Sequence, residues 1–161
     1  MKFITVTLTF FSIVFSTTLY VSYDITATAN VEYDQNSSSS DYDSGALSIG
    51  AENPISESVL IGACYDAVGM EFDGSDEGDQ LFYVYSKYSY SVTPQISAYV
   101  LGGWNLPMGD MDELDGSYSY GVGARMSNGF GISYLIHTLD TDSSISEAYI
   151  DRLSISYSLD I

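Results

Sequence analysis

The side chains able to do chemistry in this chain fall into two groups, acidic runs and isolated reactive residues. Asp73, Asp76, Glu77 and Asp79 crowd one short segment, and Asp110, Asp112, Glu113 and Asp115 crowd another. Carboxylate oxygens at such density can ligate a hard cation such as Ca²⁺ or Mg²⁺. Neither run has the spacing of a calcium-binding loop, because Leu114 occupies a ligand position and the required glycine is out of place. A solvated charge cluster is therefore the simpler reading of Asp73, Asp76, Asp79, Asp110, Asp112 and Asp115, with loop-bound Ca²⁺ or Mg²⁺ as the alternative. No other cofactor is implied. Cys64 is the only cysteine, which excludes an intrachain disulfide framework and a cysteine-rich metal site. His137 is the only histidine, so any acid–base chemistry by imidazole would have to run through it.

The remaining charges lie inside patterned segments, and those segments decide what they face. Leu153, Ile155, Tyr157, Leu159 and Ile161 alternate with Ser154, Ser156, Ser158 and Asp160. A strand turns successive side chains to opposite faces, so this segment has one apolar and one polar face. Its length suits a tilted strand crossing the hydrocarbon of a bilayer. The same alternation recurs upstream: Leu19, Val21, Tyr23, Ile25, Ala27, Ala29, Val31 and Tyr33; Leu47, Ile49 and Ala51; Val59, Ile61, Ala63 and Tyr65. It continues with Phe82, Val84, Tyr88, Tyr90 and Val92; Ile96 through Trp104 and Leu106; Tyr118, Tyr120, Val122, Ala124 and Met126; and Phe130, Ile132, Tyr134 and Ile136. Eight strands are predicted, joined alternately by long polar loops near 36–44, 73–80, 108–116 and 140–148 and by short turns near 53–57, 93–95 and 127–129. An even count with long loops at one end and turns at the other predicts an all-β, antiparallel, up-and-down barrel. Folding each hairpin about its loop centre sets Leu47 against Tyr33, Ile96 against Val92 and Phe130 against Met126.

A closed barrel can be apolar inside or apolar outside. Here the polar faces carry Ser, Thr, Gly and Tyr and little Lys or Glu, unlike a sheet that meets water and guards its surface with charge. Trp104, Tyr118, Phe130 and Tyr33 sit near strand ends, where interfacial aromatic girdles belong. Residues 1–16 begin Met1-Lys2, run apolar without an acid, and place Val14 and Ser16 suitably for cleavage, so they read as a secretory signal before a single domain over 17–161. The expected arrangement is a transmembrane barrel with its apolar face in lipid. A soluble or periplasmic small-molecule-binding β-barrel with an apolar interior is the alternative.

With apolar faces outward, Asp24, Glu52, Asp66, Lys87, Arg125 and Arg152 share lumen parity. Folding about the acidic loop sets Asp66 opposite Lys87, and closure brings Glu32 to the loop end of the last strand beside Arg152. A lumen plugged by ion pairs is predicted from Asp66, Lys87, Glu32, Arg152, Asp24 and Arg125. With 22 acidic against four basic residues, a formal charge of −18, nucleic acid is excluded as a partner.

The eight strands, the Gly-rich segment Tyr118-Ser-Tyr-Gly-Val-Gly-Ala124 and the alternating terminal strand resemble small outer-membrane barrels of the opacity and outer membrane protein A type. The resemblance covers nearly all of the chain after the signal and rests on pattern, without a diagnostic string. It implies location in a bacterial outer membrane, contact with outer-membrane lipid and lipopolysaccharide, and insertion by the barrel-insertion machinery. In that family the machinery reads a last strand that usually ends in Phe, where this chain has Ile161. It also implies an envelope-structural or surface-interaction role without catalysis; a monomer is expected. Some small outer-membrane barrels are lipid A deacylases with a His-x-Ser pair on one strand; here the run is His137-Thr138-Leu139, so no catalytic residue is assigned.

Overall fold

Strands formed by alternating apolar and Ser/Thr/Tyr residues dominate the computed structural model, which describes residues 18–33, 36–42, 44–71, 78–109, 111–112, 114–140 and 147–161. The segment 1–16 and the candidate ligands Asp73, Asp76 and Asp110 lie outside the described residues. The strands are β1 (Thr18–Tyr33), β2 (Asn36–Asp41), β3 (Leu47–Pro54), β4 (Val59–Val68), β5 (Asp79–Thr93), β6 (Ile96–Gly109), β7 (Tyr118–Met126), β8 (Phe130–Leu139) and β9 (Glu147–Asp160). Each pairs antiparallel with its neighbour, and β1 pairs with β9 over almost its whole length, closing the sheet. The upper part of β1 carries β2 on the edge whose lower part carries β3, so nine strands fill eight positions around the barrel. Where β1 lies between β9 and β3, closure removes the exposed strand edges that invite association, whereas β2 pairs with β1 alone.

Three expectations are corrected by the register. The Ser-rich tract near 36–44 is not a plain loop: Asn36–Asp41 folds back on β1, Tyr33 pairs with Asn36, and Leu47 stands opposite Tyr23 instead of Tyr33. A polar Ser run is tolerated there because it lies at the loop end of the barrel. Secondly, Ile96 pairs with Thr93, because an irregularity between Ser91 and Thr93 takes Val92 out of the ladder. By contrast, the β7–β8 ladder runs to Arg125 opposite Gly131, one step short of the expected Met126–Phe130 pair.

The third correction concerns facing. A bulge between Asp24 and Thr26 shifts the β1–β9 register, so Asp24 pairs with Ser154 but Ala27 pairs with Arg152. One extra residue inverts the side-chain parity beyond it. Ala27 is therefore buried in the interior and not on the outer apolar face.

Below the bulge the outer surface is apolar. Val21, Ile49, Ile61, Val100, Val122, Ile132 and Ile155 are all exposed, whereas Asp24, Glu52, Asp66 and Arg152 are at most 2% exposed. Lumen tyrosines are seated on cross-strand glycines: Tyr20 faces Gly50, Tyr85 faces Gly62 and Tyr99 faces Gly123. A Cβ on Gly50 would lie 2.2 Å from the Tyr20 ring, so the missing side chain is the space the ring fills. This packing gives Tyr20, Tyr85, Tyr99 and the glycines they face one shared purpose, filling a narrow lumen.

Candidate functional site

The lumen is built in layers, and its charges fall into two separate clusters. Toward the turn end, Glu52 on β3 meets Lys87 on β5 and Arg125 on β7. Its Oε1 accepts from Lys87 Nζ and, at 2.9 Å, from the Tyr85 hydroxyl; its Oε2 accepts from Arg125 Nη1 at 3.0 Å. Lys87 Nζ also lies 4.4 Å from the centroid of the Tyr99 ring, with Tyr85 and Tyr20 at 5.6 and 5.9 Å. The aromatic faces supply part of what the ammonium loses by leaving water.

Nearer the loop end, Arg152 on β9 spans two carboxylates. Its Nε donates to Asp24 Oδ2 at 2.7 Å, and its Nη1 and Nη2 donate to the two oxygens of Asp66 at 2.9 and 3.1 Å. The excess negative charge is met by further donors. Ser154 and the Ala46 amide donate to Asp24, while Ser48 and the Leu81 amide donate to Asp66. Buried charge survives only when paired and hydrogen-bonded, and this cluster is both.

The predicted pairs are redistributed accordingly. Lys87 stands opposite Leu60, not Asp66, and its partner is Glu52; Asp66 belongs to Arg152. Arg152 lies opposite Ala27 and takes Asp24 as its second carboxylate; Glu32 pairs through its backbone with Glu147, and its side chain, on which the expected Glu32–Arg152 pair depends, lies outside the described residues. Arg125 joins Glu52 and, at 3.8 Å, the exposed Asp160. Glu52 had lumen parity in the sequence, yet its partners sit on non-adjacent strands, beyond the reach of hairpin folding.

A third polar group lies above Arg152. Ser119 pairs across the ladder with His137, and its Oγ lies 2.7 Å from His137 Nδ1 while accepting from Asn105 Nδ2 at 3.2 Å. The Ser119 hydroxyl thus takes part in two hydrogen bonds, one shared with the imidazole and one accepted from the Asn105 amide. A serine and a histidine in contact are the beginning of a nucleophile–base pair, and β7 supplies the serine that β8 lacks. Ser119 and His137 are nonetheless at most 1% exposed, and the Tyr83 ring lies 4.9 Å from the imidazole, so no substrate reaches the hydroxyl. The arrangement serves as internal packing.

The loop end is closed by Ala27, Ala46, Met70, Leu81, Met111 and Ile150, with Tyr42, Leu114 and Leu139 against them. Below them the lumen, as the described residues line it, holds an internal space of about 40 Å³, room for a few waters. Among the candidate metal ligands, the Asp79 carboxylate accepts from the Tyr42 hydroxyl at 2.9 Å, while Asp112 and Asp115 are exposed. Among the described residues no three His, Cys, Asp or Glu side chains come together as a metal site.

This geometry defines a class. The chain has the fold of a small eight-stranded outer-membrane β-barrel, inverted in polarity relative to a water-soluble barrel and plugged by its own side chains. No protein-family model matches the chain, and no curated protein matches it. Among solved structures, Neisserial surface protein A matches with a TM-score of 0.57 and 14% identity, over 89% of this chain and 97% of that one. The attachment invasion locus protein Ail of Yersinia pestis matches with a TM-score of 0.49 and 13% identity, over 89% and 99%. The outer membrane enzyme PagL matches with a TM-score of 0.46 and 16% identity, over 84% and 99%. At 14% identity the match to Neisserial surface protein A bears on fold alone.

Proposed function

We propose that this chain is a non-enzymatic, monomeric β-barrel of a bacterial outer membrane, with acidic loops outward and an envelope-structural or surface-interaction role. The observation that carries the reading is the inversion of polarity. A continuous apolar belt is exposed while the charges inside the strands are buried, which in water would be costly on both counts. In lipid the belt is solvated by acyl chains and the backbone is satisfied by closure. The secretory reading of 1–16, the outer-membrane address and the contacts with lipid, lipopolysaccharide and insertion machinery are parts of this proposal.

Expressed as the full chain in a Gram-negative host, the protein is expected in the outer-membrane fraction. It should need detergent for extraction and migrate faster on a gel when unheated than when boiled. A soluble periplasmic monomer with one gel mobility would refute the proposal. The same purified protein in planar bilayers should give no large steady openings, because Arg152, the tyrosines and the loop-end cap fill the lumen.

A further inference from the structure

The two ends of the lumen are not alike. The loop end is capped by apolar side chains, whereas the turn end opens into a vestibule of about 430 Å³ whose walls include Lys87, Arg125, Ser89, Ser97 and Gln95. Lys87, Arg125 and Arg152 are the described cationic side chains, and all three are in the lumen; two of them stand at this mouth. Among the described residues Glu52 is their buried carboxylate partner and Asp160 stands at the rim 3.8 Å from Arg125, so two of the three described cations gather at one mouth of a chain of formal charge −18. Glu52 already accepts from Lys87, Arg125 and Tyr85. Arg125 is about a quarter exposed, and one of its N–H groups is engaged by Glu52 at 3.0 Å, with Asp160 no nearer than 3.8 Å. Most of its five-donor fork is left facing the vestibule.

We propose that this turn-end vestibule binds a phosphate group, held by the Arg125 fork and the Lys87 charge with hydroxyl donors from the serine-lined wall. A guanidinium with free donors matches the oxygens of phosphate bidentately. The walls supply hydroxyl and amide donors from Ser89, Ser97, Ser127 and Gln95, which suit a tetrahedral oxyanion approached from several sides. Besides Glu52, Asp160, 84% exposed at the rim, is the described carboxylate close enough to compete. The phosphate can belong to a soluble periplasmic anion or to the headgroup of a phospholipid in the adjacent leaflet, because the apolar Leu60, Met126 and Leu159 form part of the same rim. The periplasmic address of the mouth rests on the outer-membrane reading; the binding itself does not.

The test is calorimetric titration of the full chain, refolded in detergent and checked for heat-modifiable migration, with inorganic phosphate in one arm and a short-chain phosphatidic acid in the other. Saturable binding is expected in at least one arm; equal affinity in both identifies the phosphate alone as ligand, and tighter lipid binding identifies the headgroup source. Arg125→Gln should weaken binding at least tenfold. Should that variant fail to fold, Asp160→Asn, which alters an exposed side chain, should tighten binding by removing the competing carboxylate. No saturable heat in either arm, or unchanged affinity in Asp160→Asn, overturns the site. A heat-modifiable barrel that binds no phosphate sinks the vestibule and leaves the membrane reading standing. A soluble protein that binds phosphate does the reverse.

Discussion

Replacing Arg152 by Met is expected to destabilise the folded barrel by about 3–5 kcal/mol, the range found when one member of a buried ion cluster is removed. The guanidinium supplies four hydrogen bonds, three to carboxylates and one to Ser48, and among the described residues it is the only cation touching Asp24 and Asp66. Without it two carboxylates at most 1% exposed would stand near one another with only hydroxyl and amide donors for company. Urea unfolding in lipid vesicles, followed by the loss of the fast-migrating band, reads the change. The loss should come from stranded charge and not from missing contacts. The triple variant Arg152→Met, Asp24→Asn, Asp66→Asn is therefore expected to recover most of it, because neutral amides remain satisfied by Ser48, Ser154 and the backbone. A loss below about 1 kcal/mol for Arg152→Met would mean that water enters the lumen freely.

The second large effect lies on the opposite face. Val122 is at the middle of β7, 54% exposed, with Val100 and Tyr134 as its cross-strand neighbours. Introducing Val122→Arg should cost about 2–4 kcal/mol of folding stability in vesicles, the range for a basic residue near the bilayer midplane. Met126→Arg, near the turn on the same face and strand, should cost roughly 0–1 kcal/mol, as for positions near the interface. On a water-facing sheet neither substitution would matter much, and Val122→Arg would improve solubility. The depth gradient therefore separates lipid from water as the surrounding solvent.

The alternation, the even strand number and the inward facing of Asp24, Glu52, Asp66, Lys87, Arg125 and Arg152 were legible because period-two patterning is local. What escaped was set by irregularities and by distance across the barrel. The Asp24–Thr26 bulge was masked because Thr26, Thr28 and Asn30 continue the polar parity without a break, so no residue type announced the inversion. Hairpin folding about the loop centre placed Asp66 against Lys87, yet the loop is asymmetric: Met70 bridges to Asp79, and the ladder below it sets Tyr65 against Phe82. Glu52 with Arg125, and Arg152 with Asp66, are contacts across the lumen that no neighbouring-strand rule reaches. Ser119 with His137 is a ladder pair, and the register of β7 and β8 alone would have located it.

The central claim, that the apolar face looks into lipid, is tested most directly by the single tryptophan. Trp104 is 43% exposed on the outer face, edge-on to Tyr118 at a centroid distance of 5.1 Å, toward the loop end of β6. Its fluorescence, measured on the protein refolded into vesicles, should be quenched by bromine carried on lipid acyl chains. It should be poorly quenched by aqueous iodide, and the lipid quenching should be strongest for bromine near the headgroup end of the chain. Strong quenching by iodide with none from brominated lipid would place Trp104 in water and contradict the inverted barrel.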